Sequence, residues 1–166
     1  CSKREGWEAV AEVHEAFVRG IRIVSRDAEI LAWDWGWGFD WVANGADAEM
    51  VIKHLPKEVK LLSVSEWDVP VRRGGFETEV GEYSISAPGP GPRAKRYWTV
   101  ARQAGLEAAA KVQINSTWEI SAVPYIPVAN LIRKHMEELS KAGISSIMLS
   151  WTVGGYPSPN LEIAKE

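Results

Sequence analysis

Segments with a three-to-four-residue apolar rhythm alternate along this chain with short apolar runs, and that alternation constrains the fold more than any other feature. In GWEAVAEVHEAFVRGIRIV, Trp7, Val10, Val13, Phe17, Ile21 and Val24 recur at helical steps, which predicts an amphipathic helix beginning near Glu5. DAEILAWDW follows as a short strand, GADAEMVIKHLPKE as a helix and VKLLSVSEW as a second strand. The stretch RRGGFETEVGEYSISAPGPGP is less regular. Gly74 and Gly75 make a turn there, EVGEYSIS predicts a short extra strand, and a Gly/Pro loop closes it. It is the longest loop candidate, and long loops within compact domains are usually functional. RAKRYWTVARQAG is a helix, with Pro92 suited to its first turn and Gly105 to its C-terminal cap. LEAAAKVQIN is then a strand, PVANLIRKHMEELSKAG a helix opened by Pro127 and closed by Gly143, and ISSIMLSW a fourth strand. GGYPSPNLEIAKE turns from loop into one more helix, capped by Asn160 or Ser158.

The pattern is one helix followed by four βα units. Alternating helices and strands imply an α/β fold with a parallel sheet, either an open doubly wound sheet or part of a (β/α)8 TIM barrel. Side chains alternate along a strand, so Lys111, Gln113 and Asn115 share one face while Ala110, Val112 and Ile114 share the other. A central strand of an open sheet is covered on both faces and tends to be apolar throughout, whereas a polar stripe suits the inward face of a barrel near its mouth. A complete barrel takes about 250 residues. The 166 residues here are enough for a single α/β domain, residues 1–166, and match the C-terminal half of a larger barrel. A first residue of Cys rather than Met leads to the expectation of a preceding segment. Cut strand edges lead to that of self-association or pairing with a missing N-terminal piece.

Composition excludes several partners. The formal charge of −3 and scattered Lys and Arg argue against a nucleic-acid surface. Apolar runs fall far short of the roughly 20 residues a transmembrane helix needs. His14, His54 and His135 fall on predicted helices away from the strand ends, and no metal-ligand spacing is present, so neither metal nor other cofactor is expected. PGPGP lacks the Lys and Ser/Thr of a phosphate-cradling loop and reads as a turn. One cysteine cannot form an internal disulfide, which leaves the compartment undetermined.

The chemistry-bearing residues gather at strand C-terminal ends. EILAWDWGWGFDW sets Trp33, Trp35, Trp37 and Trp41 beside Asp34 and Asp40, SEWDV joins Glu66, Trp67 and Asp68, and NSTWEI joins Trp118 and Glu119. Asp34, Trp35, Glu66, Trp67, Asn115, Trp118 and Trp151 lie at or just past those ends, where barrel enzymes build their sites. Indole rings stack on the apolar faces of sugars while carboxylates and amides hold hydroxyls. The pattern therefore reads as a carbohydrate site, with Trp37, Asp68, Tyr83, Lys111 and Gln113 completing the candidate substrate-binding set. Glycoside hydrolysis ordinarily needs two carboxyl groups. Glu66 is the first catalytic candidate, because it ends an apolar strand with Trp67 beside it to raise its pKa by desolvation; Asp34 and Glu119 follow. The structural alternative makes Glu66 an ion-pair partner of Arg72 or Arg73.

AWDWGW, SVSEWD, KVQINSTWE, VPYIP and MLSWTVGGYPSPN together resemble the C-terminal half of bacterial glycoside-hydrolase-like (β/α)8 proteins of the hexosaminidase-type barrel style, over nearly the whole chain. The resemblance implies a hydrolase acting on an oligo- or polysaccharide. In hexosaminidase-type barrels the acid follows the fourth strand, which here would lie upstream of Cys1, and later strands contribute Trp and Tyr around the sugar. Asn115 stands where other retaining barrels end their seventh strand with Glu, and Glu119 follows four residues on. A non-catalytic carbohydrate-binding domain and an interaction domain with a Trp-rich core are the alternatives.

Overall fold

The structure is a computed structural model and describes residues 5–37, 46–117, 120, 122–150 and 156–166. Along the chain run α1 (Gly6–Val24), β1 (Ile30–Trp33), α2 (Ala46–His54), β2 (Val59–Val64), β3 (Pro70–Arg73), β4 (Phe76–Glu79), α3 (Pro92–Gln103), β5 (Glu107–Val112), α4 (Ala129–Lys141), β6 (Ser146–Leu149) and α5 (Pro159–Lys165). Four strands form one sheet in the order β1-β2-β5-β6. β1 lies parallel to β2, Ile30 opposite Val59 and Trp33 opposite Leu62, and β5 lies parallel to β6, Ala109 opposite Ser146 and Val112 opposite Leu149. The fold is thus mixed α/β with a parallel sheet, the arrangement that strands separated by helices require.

The irregular stretch departs from expectation. EVGEYSIS is not a strand; β3 pairs antiparallel with β4 instead, Pro70 opposite Glu79, and the chain from Gly81 to Gly91 follows without a ladder. The hairpin turns on Gly74 and Gly75, whose φ values of +57° and +81° fall in the left-handed region that glycine enters without a Cβ clash. Turn chemistry set that register. Arg73 and Phe76 pair directly across the turn.

The chain parts into two compact units, one of residues 1–63 with 96–108 and the other of residues 64–95 with 109–166. In the first, α1 packs on α2, and Val18, Ala32, Ile52, Leu61 and Trp98 are buried. In the second, α4 packs on α5, and Ile85, Ile114 and Ile132 form a buried cluster against which Ile126, Val128, Met136, Leu149, Leu161 and Ile163 pack. Each such aliphatic side chain contributes on the order of 1.5–3 kcal/mol when taken from water. On α4 the buried residues are Ile132, His135 and Leu139, one stripe at steps of three and four. A histidine thus occupies a core position.

α5 begins at Pro159 behind Ser158, whose Oγ accepts the backbone N–H of Leu161, so Ser158 is the cap. Asn160 instead ties two loop carbonyls together, its Nδ2 donating to Ile114 O at 2.7 Å and to Ile126 O at 2.8 Å. Among the described residues no helix is long and apolar enough to cross a membrane, and no group of His, Cys, Asp or Glu is arranged to hold a metal ion.

Candidate functional site

The second unit contains a buried polar cluster where β2 and β5 end. Past Val64 the strand direction continues for one residue, with the Ser65 N–H donating to Lys111 O at 2.9 Å. There the chain turns. Val69 N–H donates to Glu66 O at 3.1 Å, Asp68 N–H to Val80 O at 2.9 Å, and Asp68 sits at φ +61°. A non-glycine residue held in that region signals backbone determined by its surroundings, a feature that concentrates at functional sites. The surroundings here include residues 89–91. A Cβ on Gly89 would lie 2.4 Å from Ser65 O, and one on Gly91 would lie 2.0 Å from Trp67 O. Only glycine lets the two backbones meet, so PGPGP is a packing element as well as a turn.

This turn leaves Glu66 wholly buried. Its Oε1 accepts the Gln113 N–H at 2.7 Å, while Oε2 has no hydrogen-bond partner among the described residues. Burial pushes the Glu66 carboxyl up to about 8, against the opposing pull of the N–H groups of Gln113 and of Glu66 itself and of the Lys111 charge. Lys111 is also buried, and desolvation brings its ammonium down to about 8 although Glu66 favours the charged form. The Lys111 Nζ lies 5.6 Å from the ring centre of Tyr83, within cation–π range.

His135 reaches the same place from α4. Its Nε2 is 2.8 Å from Ser65 Oγ, and its Nδ1 is 4.0 Å from Glu66 Oε1. Burial lowers His135 to about 4, so the ring is neutral at pH 7. The expectation that all three histidines lie away from the strand ends therefore fails for His135. His14 and His54 do hydrogen-bond their own helices, to Val10 O and Met50 O. A polar ring on the Ile132/Leu139 stripe was the available sequence signal, but helical spacing alone could not name its partner.

The remaining candidates divide by unit. Lys111, Gln113 and Tyr83 gather with Glu66 in the second. Trp67, half-buried, lies under the Arg93 guanidinium at 4.0 Å, and Asp68 is half-buried in the turn beside it. Asn115 is buried, donating from Nδ2 to Tyr156 O at 2.6 Å and accepting from Ser158 Oγ at 2.6 Å, which ties the end of β5 to the start of α5. The candidates of the first unit cluster around the end of β1. Asp34 is buried there, its N–H donating to Leu62 O at 3.0 Å and its carbonyl accepting Trp37 N–H at 3.1 Å. Trp37 is buried edge-on to His14 at 5.3 Å, whereas Trp35 is 42% exposed and tilted against Trp33. Trp118, Glu119 and Trp151 lie outside the described residues.

The proposed ion-pair partners of Glu66 are engaged elsewhere. Arg72 bridges Glu77 at 3.0 Å, and Arg73 donates to Ser86 O at 2.9 Å. What remains is a carboxyl that burial favours in its protonated form, with one oxygen buried and without a hydrogen-bond partner among the described residues, an amide oxygen on Gln113 in the same situation, and a lysine able to meet negative charge on the acid. Such a carboxyl can donate a proton at neutral pH. Comparison of the chain with family models, with curated proteins and with solved structures finds no match.

Proposed function

We propose that this chain is a carbohydrate-active domain, a half (β/α)8 barrel of four βα units, in which Glu66 is the general acid of glycosidic-bond hydrolysis. The observation that carries this is the Glu66 carboxyl at the end of β2, kept protonated by burial and with Oε2 unmatched among the described residues. In the reaction the proton passes from Oε2 to the glycosidic oxygen as its bond to the anomeric carbon breaks. The resulting carboxylate is then met by the Gln113 N–H and by Lys111. Hydrolysis is completed by a second carboxylate, which takes a proton from the attacking water or first attacks the anomeric carbon itself.

A second reading is favoured by one fact, the complete burial of Glu66, Lys111, Gln113 and Asn115. On it the cluster is a polar core that fixes the strand ends and handles no substrate. Glu66→Gln separates the two, since it keeps shape and removes the titratable proton. Assayed at pH 6.5 on a panel of aryl glycosides and oligosaccharides, the acid role predicts turnover by the wild-type chain and a loss of about 10²-fold or more in kcat for the variant, with KM kept and melting temperature not lowered. Absence of turnover by the wild type on the whole panel, or unchanged turnover in a variant that melts lower, establishes the structural reading instead.

A further inference from the structure

We infer that Ser65 and His135 are positioning residues that hold the Glu66 carboxyl with its acid proton on Oε2, a role that rests on the acid function proposed above. A carboxylic acid has one carbonyl-type oxygen, which accepts, and one hydroxyl oxygen, which donates. Oε1 takes the Gln113 N–H at 2.7 Å, and that bond makes it the carbonyl oxygen. The proton then belongs on Oε2, the oxygen with no hydrogen-bond partner among the described residues.

The neighbouring imidazole can reinforce or undo this choice. At 4.0 Å, His135 Nδ1 is beyond hydrogen-bond length from Oε1 but close enough for its local dipole to act on a buried oxygen. An uncharged ring carries one hydrogen. With that hydrogen on Nδ1, a positive end faces Oε1 and supports it as acceptor. With the hydrogen on Nε2, a lone pair faces Oε1, repels it and draws the acid proton to the wrong oxygen. The Ser65 hydroxyl, 2.8 Å from Nε2, selects the first state when it donates to that nitrogen. Gly89 packs against the same Oγ, so closely that a Cβ there would come within 2.5 Å of it. Among the described residues, Lys111 from β5 and His135 from α4 are charged or titratable groups near Glu66, and His135 carries a ring hydrogen whose position can switch.

The test is heteronuclear NMR of the full chain with labelled histidine and glutamate at pH 7, alongside turnover on the best glycoside of the panel. The wild type should show the Nδ1–H tautomer at His135 and a protonated Glu66 side chain. Ser65→Ala should lose the tautomer preference and lower kcat about tenfold at unchanged KM. His135→Phe removes both nitrogens and should lower kcat comparably; Ser65→Ala, the smaller change, decides the matter if His135→Phe does not fold. An Nε2–H tautomer in the wild type overturns the inference, as does wild-type kcat in a Ser65→Ala variant of unchanged melting temperature. Because the tautomer is read without substrate, an Nδ1–H wild type that cleaves no glycoside would reject the proposed hydrolase while supporting the proton placement.

Discussion

At the scale of single residues, three buried titratable groups in one cluster give stability a pH dependence whose signs can be worked out. Glu66 rises from 4.5 to about 8, so its contribution is full below pH 4.5 and is lost as pH climbs to about 8. His135 falls from 6.5 to about 4, so its contribution is full above 6.5 and is lost as pH drops to about 4. Lys111 falls from 10.5 to about 8, and its contribution is lost as pH descends through that interval. Glu66 and His135 oppose each other between about 4.5 and 6.5. Of these three groups, Glu66 alone acts between about 6.5 and 8. Glu66→Gln should therefore gain on the wild type as pH rises across that window, by up to about 2 kcal/mol at roughly 1.4 kcal/mol per pH unit. Urea unfolding at pH 6.5 and pH 8 measures it, and a difference that does not change with pH would mean a carboxyl ionised throughout. Sequence made the strand-end position of Glu66 legible, since an apolar run stops there beside Trp67. His135 was not legible as its neighbour: the two meet across 69 residues of chain, and periodicity reports only which face a residue occupies.

At the scale of elements, the strands and helices were the legible part, because each is specified by local rhythm and local punctuation. Pro92 does open α3, Gly105 does follow it at φ +77°, and the Gly74–Gly75 turn does join two strands. EVGEYSIS misled for a physical reason. Tyr83 and Ile85 alternate with polar residues as strand residues do, yet they are buried by tertiary packing, Tyr83 beside Lys111 and Ile85 against Ile114 and Ile132. Pattern there reports burial, not hydrogen bonding. Two glycine substitutions turn this distinction into numbers. Gly91→Ala would press a methyl group to 2.0 Å from the Trp67 carbonyl and should cost more than about 2 kcal/mol, since backbone rather than a flexible side chain must give way. Gly20→Ala, inside α1 with nothing within 4 Å of the added carbon, should stabilise by about 0.5–1 kcal/mol through helix propensity. Thermal melts of both variants check the pair, and similar effects from the two would contradict the close approach at Gly91.

At the scale of the whole molecule, the sheet order places β1 and β6 at its two ends. Parallel strand pairs leave ladder groups unmatched at any end that nothing covers, and apolar side chains there invite pairing with a further strand. Leu31 of β1 is 38% exposed, and Ile147 and Met148 of β6 are 40% and 43% exposed. The βα alternation predicted a parallel sheet and the structure has one, but its ends were visible in sequence only as the first and last strand candidates; exposure of particular side chains depends on what packs beside them. The expected consequence is self-association of this chain through strand ends, favoured by the formal charge of only −3, which provides little mutual repulsion. Light scattering over a range of concentrations should show mass rising above that of one chain, and Ile147→Lys, which sets a charge on the edge strand, should return it to that of a monomer. The exposed stripe of α1, with Phe17 at 62%, is the competing surface. If Phe17→Lys rather than Ile147→Lys abolishes association, the contact is made by a helix and the strand ends are solvated in the free chain. A single-chain mass at every concentration would remove both surfaces as self-association sites.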